Sequence, residues 1–402
     1  MRRIVLWILI GVGVLLAGRF GGMSADSIPE SPVVVMTVRG TIDPVVMKYL
    51  SDGFEEAVRK SASGVVILLD TPGGLLDSTR DIIRQMLNAP FPVIVYVSPR
   101  GARAASAGVF ITMASDVAAM APETHMGAAH PVSIGGGFSL PGKKAGGEKK
   151  EPEPSGDVLA EKSLSDTVAY IRSIAASKGR NVEWAERAVR ESRSVTAEEA
   201  VQQKIVDHLA SDLDDLFGKI DGKTISKGGR PVTLHLRNAP RIGFEMNWIR
   251  QFLHQVANPN VAYLLLIIGF YGLIYEFATP GVGFGGAIGL VSLITASFSL
   301  QVLPISYAGL LLILSGLAMM FMELKIHTLG LLTVGGLISF SLGSILLFQS
   351  PEPYYRVSLE LIAGTALATL GFISYAIRKV VQTRFLPTLT GPEGMIGLVG
   401  EA

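Results

Sequence analysis

Beyond residue 260 the chain runs through one apolar segment after another, and few folds accommodate such a pattern. The segments lie at about 261–279, 284–303, 306–322, 328–348 and 357–377. Each approaches the ~20 residues an α-helix needs to cross ~30 Å of hydrocarbon. An all-α transmembrane domain of about five spans is therefore expected over 260–379. The composition agrees, with 49% hydrophobic and only 17% charged residues, too apolar for an ordinary soluble protein. Only "LPIS" separates the second and third segments, which predicts a tight hairpin between them. Gly285 and Gly289 read as close helix-packing positions. Glu276 and Glu323 fall near span ends and read as interfacial rather than as an ion pathway. No internal repeat stands out.

The N-terminus, "MRRIVLWILIGVGVLLAG", has two arginines and then an apolar run, followed by small residues up to Ala25. It reads as a signal peptide over 1–25 or as an uncleaved N-terminal anchor. Either way, residues from about 30 onward are expected on the extracytoplasmic side. Five spans then bring the C-terminus into the cytoplasm, where "RKVVQTR" (378–384) and Lys325 satisfy the positive-inside rule. The loop "QSPEPYYR" falls outside. The expected location is thus the cell membrane, multi-pass.

Residues 30–240 read as an α/β domain with a largely parallel sheet. "VVVMTV" (33–38), "GVVILLD" (64–70) and "PVIVYV" (92–97) are short β-branched runs, apolar enough for burial on both faces. Helical patterns lie between them, one opened by Asp43-Pro44 and another over about 77–87. The Gly-, Pro- and Lys/Glu-rich stretch 133–158 predicts a mobile loop or flap. Helices resume with "LAEKSLSDTVAYIRSIAASKGR" and again at "TAEE", which has capping-box spacing. Over 243–257, Trp248, Ile249, Phe252 and Val256 share one helical face, as in a helix lying at the membrane interface. A core helix is the competing reading.

A net charge of +1 gives no electrostatic reason to invoke nucleic acid, and with no cysteine there is no disulfide or thiol nucleophile. Two glycine-bearing motifs follow strands. "LDTPGG" places Gly73 and Gly74 at a strand-to-helix turn, where backbone amides can face a ligand. "AASAG" puts Ser106 at the start of the helix "VFITMA", with the amide of Ala107 outside the intrahelical bonding. The amides of Gly74 and Ala107 could together form an oxyanion hole. Tight helix–sheet packing is the alternative reading of the small residues. A serine nucleophile needs a base, and two candidates lie downstream: His130 in "GAAHPV" and Lys162 in "AEKSLSDTVAYI". A lysine serves only if its pKa falls far below ~10.4. His125 stands near His130, but no metal-ligand spacing is present, so neither metal nor cofactor is expected.

The run from "LDTPGG" through "ARAASAGVF" to "GAAHPV" resembles the NfeD-like, long-form membrane-bound serine proteases of the Clp-protease class, relatives of signal peptide peptidase A. "SVTAEEAVQQKIVD" and "LIYEFATPGVGFGG" share the resemblance, which runs from about residue 33 to the end. It implies a Clp-protease/crotonase-like domain, a multi-span region and a C-terminal OB-fold, of which 385–402 would be a truncated start. It also implies Ser106 as nucleophile, Lys162 as base and the glycine pair Gly73 and Gly74 in substrate binding. His130 stands close to the histidine base of soluble Clp proteases and is kept as the alternative. The implied reaction is hydrolysis of hydrophobic protein or peptide segments on the extracytoplasmic side, with a stomatin-like (SPFH) membrane protein as substrate or partner. Fold relatives usually assemble, so a homo-oligomer is expected. Two rivals remain: a non-catalytic scaffold for a stomatin-like partner, and an acyl-CoA enzyme of the same fold.

Overall fold

The computed structural model describes residues 31–131, 156–278 and 283–384, apart from 304, 324, 325, 327, 349, 351 and 352. The expected signal segment, the expected flap as far as residue 155 and the expected OB-fold start at 385–402 lie outside these residues.

The three apolar runs form strands β1 (Val33–Arg39), β2 (Gly64–Asp70) and β3 (Val93–Val97). Short strands follow: β4 (Arg103–Ala105), β5 (Val117–Met120), β6 (His125–Gly127), β7 (Ser194–Thr196), β8 (His208–Leu209), β9 (Thr224–Lys227), β10 (Arg230–Thr233) and β11 (Arg241–Phe244). Six make one sheet in the order β11-β1-β2-β3-β5-β8, and every pairing in it is parallel. Strand side chains alternate between faces, and both faces are covered. Val34, Met36, Val38, Val65, Ile67, Leu69, Val93 and Val95 enter one core. Val33, Val66, Ile94 and Tyr96 enter the other, against Leu216, Phe217 and Leu236. Full burial of each such side chain contributes about 1.5–3 kcal/mol.

Helices α1 (Pro44–Arg59), α2 (Leu76–Asn88) and α3 (Ala107–Ala114) each follow a strand of this part. The carboxylate of Asp43 accepts the Val46 N–H at 2.8 Å, capping α1 where the sequence places Pro at its first position. Helices α4 (Gly156–Ser177), α5 (Val182–Arg190), α6 (Ala197–Gln202) and α7 (Leu213–Ile220) complete this part. The capping box at Thr196 and Glu199 forms as its spacing predicts. Arg180, almost fully buried, donates to the carbonyls of Thr112 and Ser115 and to Asp207. It thereby satisfies the C-terminal carbonyls of α3, the helix that begins after Ser106.

Helix α8 (Trp248–Val256) turns its polar side to the protein: Arg250 pairs with Asp52, and His254 Nδ1 lies 2.7 Å from the Asp43 carboxylate. Trp248, Ile249 and Phe252 stay exposed, the reverse of a core helix, whereas Val256 at the end of the same face is buried.

Five apolar helices follow: α9 (Pro259–Ala278), α10 (Phe284–Val302), α11 (Tyr307–Glu323), α12 (Leu331–Leu346) and α13 (Leu359–Arg384). Within α9 and α10, Pro259–Phe277 and Phe284–Gln301 are long and apolar enough to cross a membrane, while the apolar stretches of the other three are shorter. The close pairs are α9 with α10 and α11 with α12. The tight hairpin expected across "LPIS" is therefore not where the extensive packing occurs. The reason lies in the glycines. A Cβ on Gly272 would stand 2.7 Å from the Gly289 Cα, and one on Gly316 only 2.6 Å from the Gly336 carbonyl oxygen. Such faces let two backbones touch, so they select the partners where connector length does not.

The two pairs also correct the reading that nothing repeats. Gly269, Glu276, Gly283 and Gly289 recur 47 residues later as Gly316, Glu323, Gly330 and Gly336. In each pair a glutamate at the end of the first helix accepts N–H groups at the start of the second. Glu276 accepts from Gly283 and Gly286, and Glu323 from Gly330 and Leu332. These glutamates are helix caps, a role compatible with a span end.

Candidate active site

Two short stretches far apart in the sequence are stitched together at the C-terminal end of β2. Beyond Asp70 the chain pairs with β4: the Thr71 N–H donates to the Arg103 carbonyl at 2.8 Å, and the Ala105 N–H to the Thr71 carbonyl at 3.0 Å. Asp70 accepts the Arg103 N–H at 3.1 Å. This ladder sets "TPGG" beside "RAAS". The Thr71 hydroxyl accepts from the Gly73 N–H and donates to its carbonyl, both at 3.0 Å, fixing the turn. Gly73 has φ of +129°, a conformation L side chains rarely adopt. A Cβ there would lie 2.7 Å from Ser106 Cβ.

Gly74 forms a parallel bridge with Ile42, made by the Ile42 N–H to the Gly73 carbonyl and the Leu75 N–H to the Ile42 carbonyl. In that pattern the N–H of Gly74 itself points away from Ile42. Among the described residues neither the Gly74 nor the Ala107 amide N–H has an acceptor.

Ser106 sits between β4 and α3 with φ +50° and ψ −110°. An L-residue pays strain for such a backbone, and it persists only where the surroundings enforce it. Here the Ser106 N–H is tied to the Gly127 carbonyl at 3.0 Å and its carbonyl accepts from Val109 at 3.0 Å. Although Ser106 stands at the N-cap of α3, its hydroxyl makes no capping bond. The small residues around it serve packing as well: a Cβ on Gly108 would stand 2.8 Å from Thr71 Cγ2. Tight packing and an unencumbered hydroxyl are the same feature.

A cavity of about 90 Å³ opens over Ser106, and its lining includes Gly74, Ala107, Phe110 and His130. The structure thus brings together Ser106, Gly74, Ala107 and His130, with Gly73 against the serine side chain. His130 Nδ1 lies 2.9 Å from the Val189 carbonyl oxygen. A carbonyl only accepts, so in the neutral ring Nδ1 carries the proton and Nε2 keeps its lone pair. Lys162 is not among the lining residues. It is exposed on α4, one position before Ser163, which does line the cavity. Among the described residues Lys162 makes no hydrogen bond or ion pair. Helix α4 is held against the site by stacking of Tyr170 on Phe110 and by the Arg80–Asp166 pair. Among the described residues no three His, Asp or Glu side chains gather in a way that could hold a metal ion.

Residues 32–221 match the family NfeD1b, N-terminal domain, and residues 260–379 match the NfeD integral membrane domain. Over its whole length the chain is 32% identical to the membrane-bound protease PH1510 of Pyrococcus horikoshii, covering 87% of that protein. The chain belongs to the NfeD-like membrane proteases. Membrane protein NfeD1b of Bacillus subtilis is 24% identical over 90% of the chain and 77% of its own length. Among solved structures, a lysine-to-alanine variant of 1510-N, a membrane-bound stomatin-specific protease, in complex with a substrate peptide, is 30% identical. It covers 57% of this chain and 99% of that one, with a TM-score of 0.49.

Two lining residues of this NfeD-like chain were not foreseen. Tyr354 and Tyr355, in a 3-10 turn at Pro353–Tyr355 between α12 and α13, reach the Ser106 cavity from the helical region. One signal was available: "QSPEPYYR" is expected on the same side of the bilayer as the α/β part.

Proposed function

We propose that the chain is a membrane-anchored serine endopeptidase with Ser106 as nucleophile, Lys162 as general base and the Gly74 and Ala107 amides as oxyanion donors. The observation that carries it is the backbone of Ser106. A strained, positive-φ turn at a helix start holds a hydroxyl that caps nothing, beside a glycine turn with an unpaired N–H. Ser106 Oγ attacks the scissile carbonyl carbon while its proton passes to the neutral base. The carbonyl electron pair moves onto oxygen, where the two amides hold it; one such donor is typically worth about 3–4 kcal/mol. Collapse breaks the C–N bond, and the leaving amine takes the proton from the base. Water then attacks the acyl-serine, gives a proton to the base, and Ser106 Oγ departs with it.

His130 is a second reading for the base, favoured by its place in the cavity and by its Nε2 lone pair. The substrates we infer are hydrophobic segments of membrane-associated proteins, a stomatin-like protein among them, cleaved on the extracytoplasmic side by a homo-oligomer. The family membership supports the chemistry, and the exposed apolar edge of α8 supports action close to a bilayer.

The test compares purified full-length wild type with Ser106→Ala, Lys162→Ala and His130→Ala in detergent, on a library of hydrophobic peptides. Ser106→Ala and Lys162→Ala should each lose about 10³-fold or more in cleavage rate, with His130→Ala close to wild type. A collapse of activity in His130→Ala with Lys162→Ala intact would transfer the base to His130. Wild-type cleavage by Ser106→Ala would replace the protease reading with a scaffold.

A further inference from the structure

The wall of the Ser106 cavity that faces the helical region is built by residues the catalytic scheme does not use. Tyr354 and Tyr355 both line the cavity, with ring centroids 4.8 Å apart. The Tyr354 hydroxyl lies 2.7 Å from the point where a Gly73 Cβ would stand, and Ser106 Cβ lies 2.7 Å from that same point. The phenol and the serine therefore converge on one face of Gly73. Tyr355 is almost fully buried and belongs to the core of the helical region. Leu75, one residue beyond the glycine pair, packs against that same core. The wall is thus anchored on the helices and continuous with the glycine turn.

We propose that Tyr354, backed by Tyr355, is a specificity-determining residue: it limits the side chain next to the carbonyl under attack to small aliphatic size. The physical reason is volume. The Tyr354 and Tyr355 rings stand in the same cavity as Ser106, and an aromatic side chain entering beside them would have to displace the Tyr354 ring, which tight packing resists. The α/β part alone supplies Ser106 and both amides, whereas size selection comes from the helical region. This proposal rests on Ser106 being the nucleophile.

The test uses substrates whose scissile bond is fixed: the p-nitrophenyl esters of N-acetyl-alanine and N-acetyl-phenylalanine, given to the full-length protein in detergent. Wild type should favour the alanine ester in kcat/KM by about tenfold or more, the range that pocket size commands. Tyr354→Ala should raise turnover of the phenylalanine ester and narrow that ratio by about tenfold. Tyr354→Phe, which keeps the ring, should keep the wild-type ratio, and Tyr354→Trp should widen it. The Trp variant carries the test if the alanine variant fails to fold. A wild-type preference for the phenylalanine ester overturns the proposal. So does a ratio unmoved by Tyr354→Ala and Tyr354→Trp, even if both rates change together, since that would be the mark of a gate. Failure of the underlying reading looks different: Ser106→Ala would hydrolyse both esters as fast as wild type.

Discussion

Holding Ser106 at φ +50° costs an L-residue about 1–3 kcal/mol, met by the ladder between Thr71 and β4 and by the bond to Gly127. Stability can therefore be separated from chemistry at this position. Ser106→Ala and Ser106→Gly should both be inactive, but the glycine variant, free of Cβ strain, should be the more stable by about 1 kcal/mol. Thermal unfolding of both variants in the same detergent checks this, and equal midpoints would mean the turn relaxes without cost. Much of this residue scale was legible in the sequence. A run of Gly, Ala and Ser between apolar strands marks a place where backbones approach closely, and Gly73 must be glycine for its φ. The strain at Ser106 was not legible, because it is imposed by β4, β6 and the chain beyond β2 meeting at one point.

At the scale of elements, α8 joins the catalytic part to the helices. His254 donates from Nδ1 to the Asp43 carboxylate, and Asp43 itself caps α1 next to Ile42, the residue bridged to Gly74. The hydrogen bond to Asp43 pushes the His254 pKa above its ordinary value, with the carboxylate charge acting the same way against the effect of burial. A raised folded-state pKa means stabilisation that is full below about 6.5, the unfolded value, and is lost as pH rises through the folded one. The wild-type melting temperature should therefore fall as pH rises above that window, and the difference from His254→Gln should shrink. A pH-independent difference would show that the pair is held by packing alone. The amphipathic pattern of α8 was plain in the sequence. That its polar side faces protein became clear only from Asp52 and Asp43, some two hundred residues upstream.

For the whole molecule, the helices return the chain after α12 to the side on which the α/β part lies, since Tyr354 reaches the Ser106 cavity. The exposed Trp248, Ile249 and Phe252 form an apolar edge on the same unit, which fits a helix lying on the bilayer surface. In bilayer discs with brominated lipid, Trp248 emission should be quenched, and the Trp248→Phe variant should lose that quenched component. Trp184 is buried in the α/β core and Trp7 lies in the N-terminal apolar run, so the difference between wild type and Trp248→Phe isolates the Trp248 signal. An unquenched Trp248 would place α8 away from lipid.

Local physics determined much of this protein directly. Strand runs, the Asp43 and Thr196 caps, the apolar helices and the small-residue motifs are properties of adjacent residues, so the sequence by itself carries them. Only the tertiary structure decided which helices pair, because interlocking glycine faces outweigh the length of a connector. It alone also placed His130 inside the cavity and Lys162 at its margin, and brought Tyr354 across more than two hundred residues to Ser106. Such contacts depend on how separate elements dock, and no short stretch of sequence encodes that.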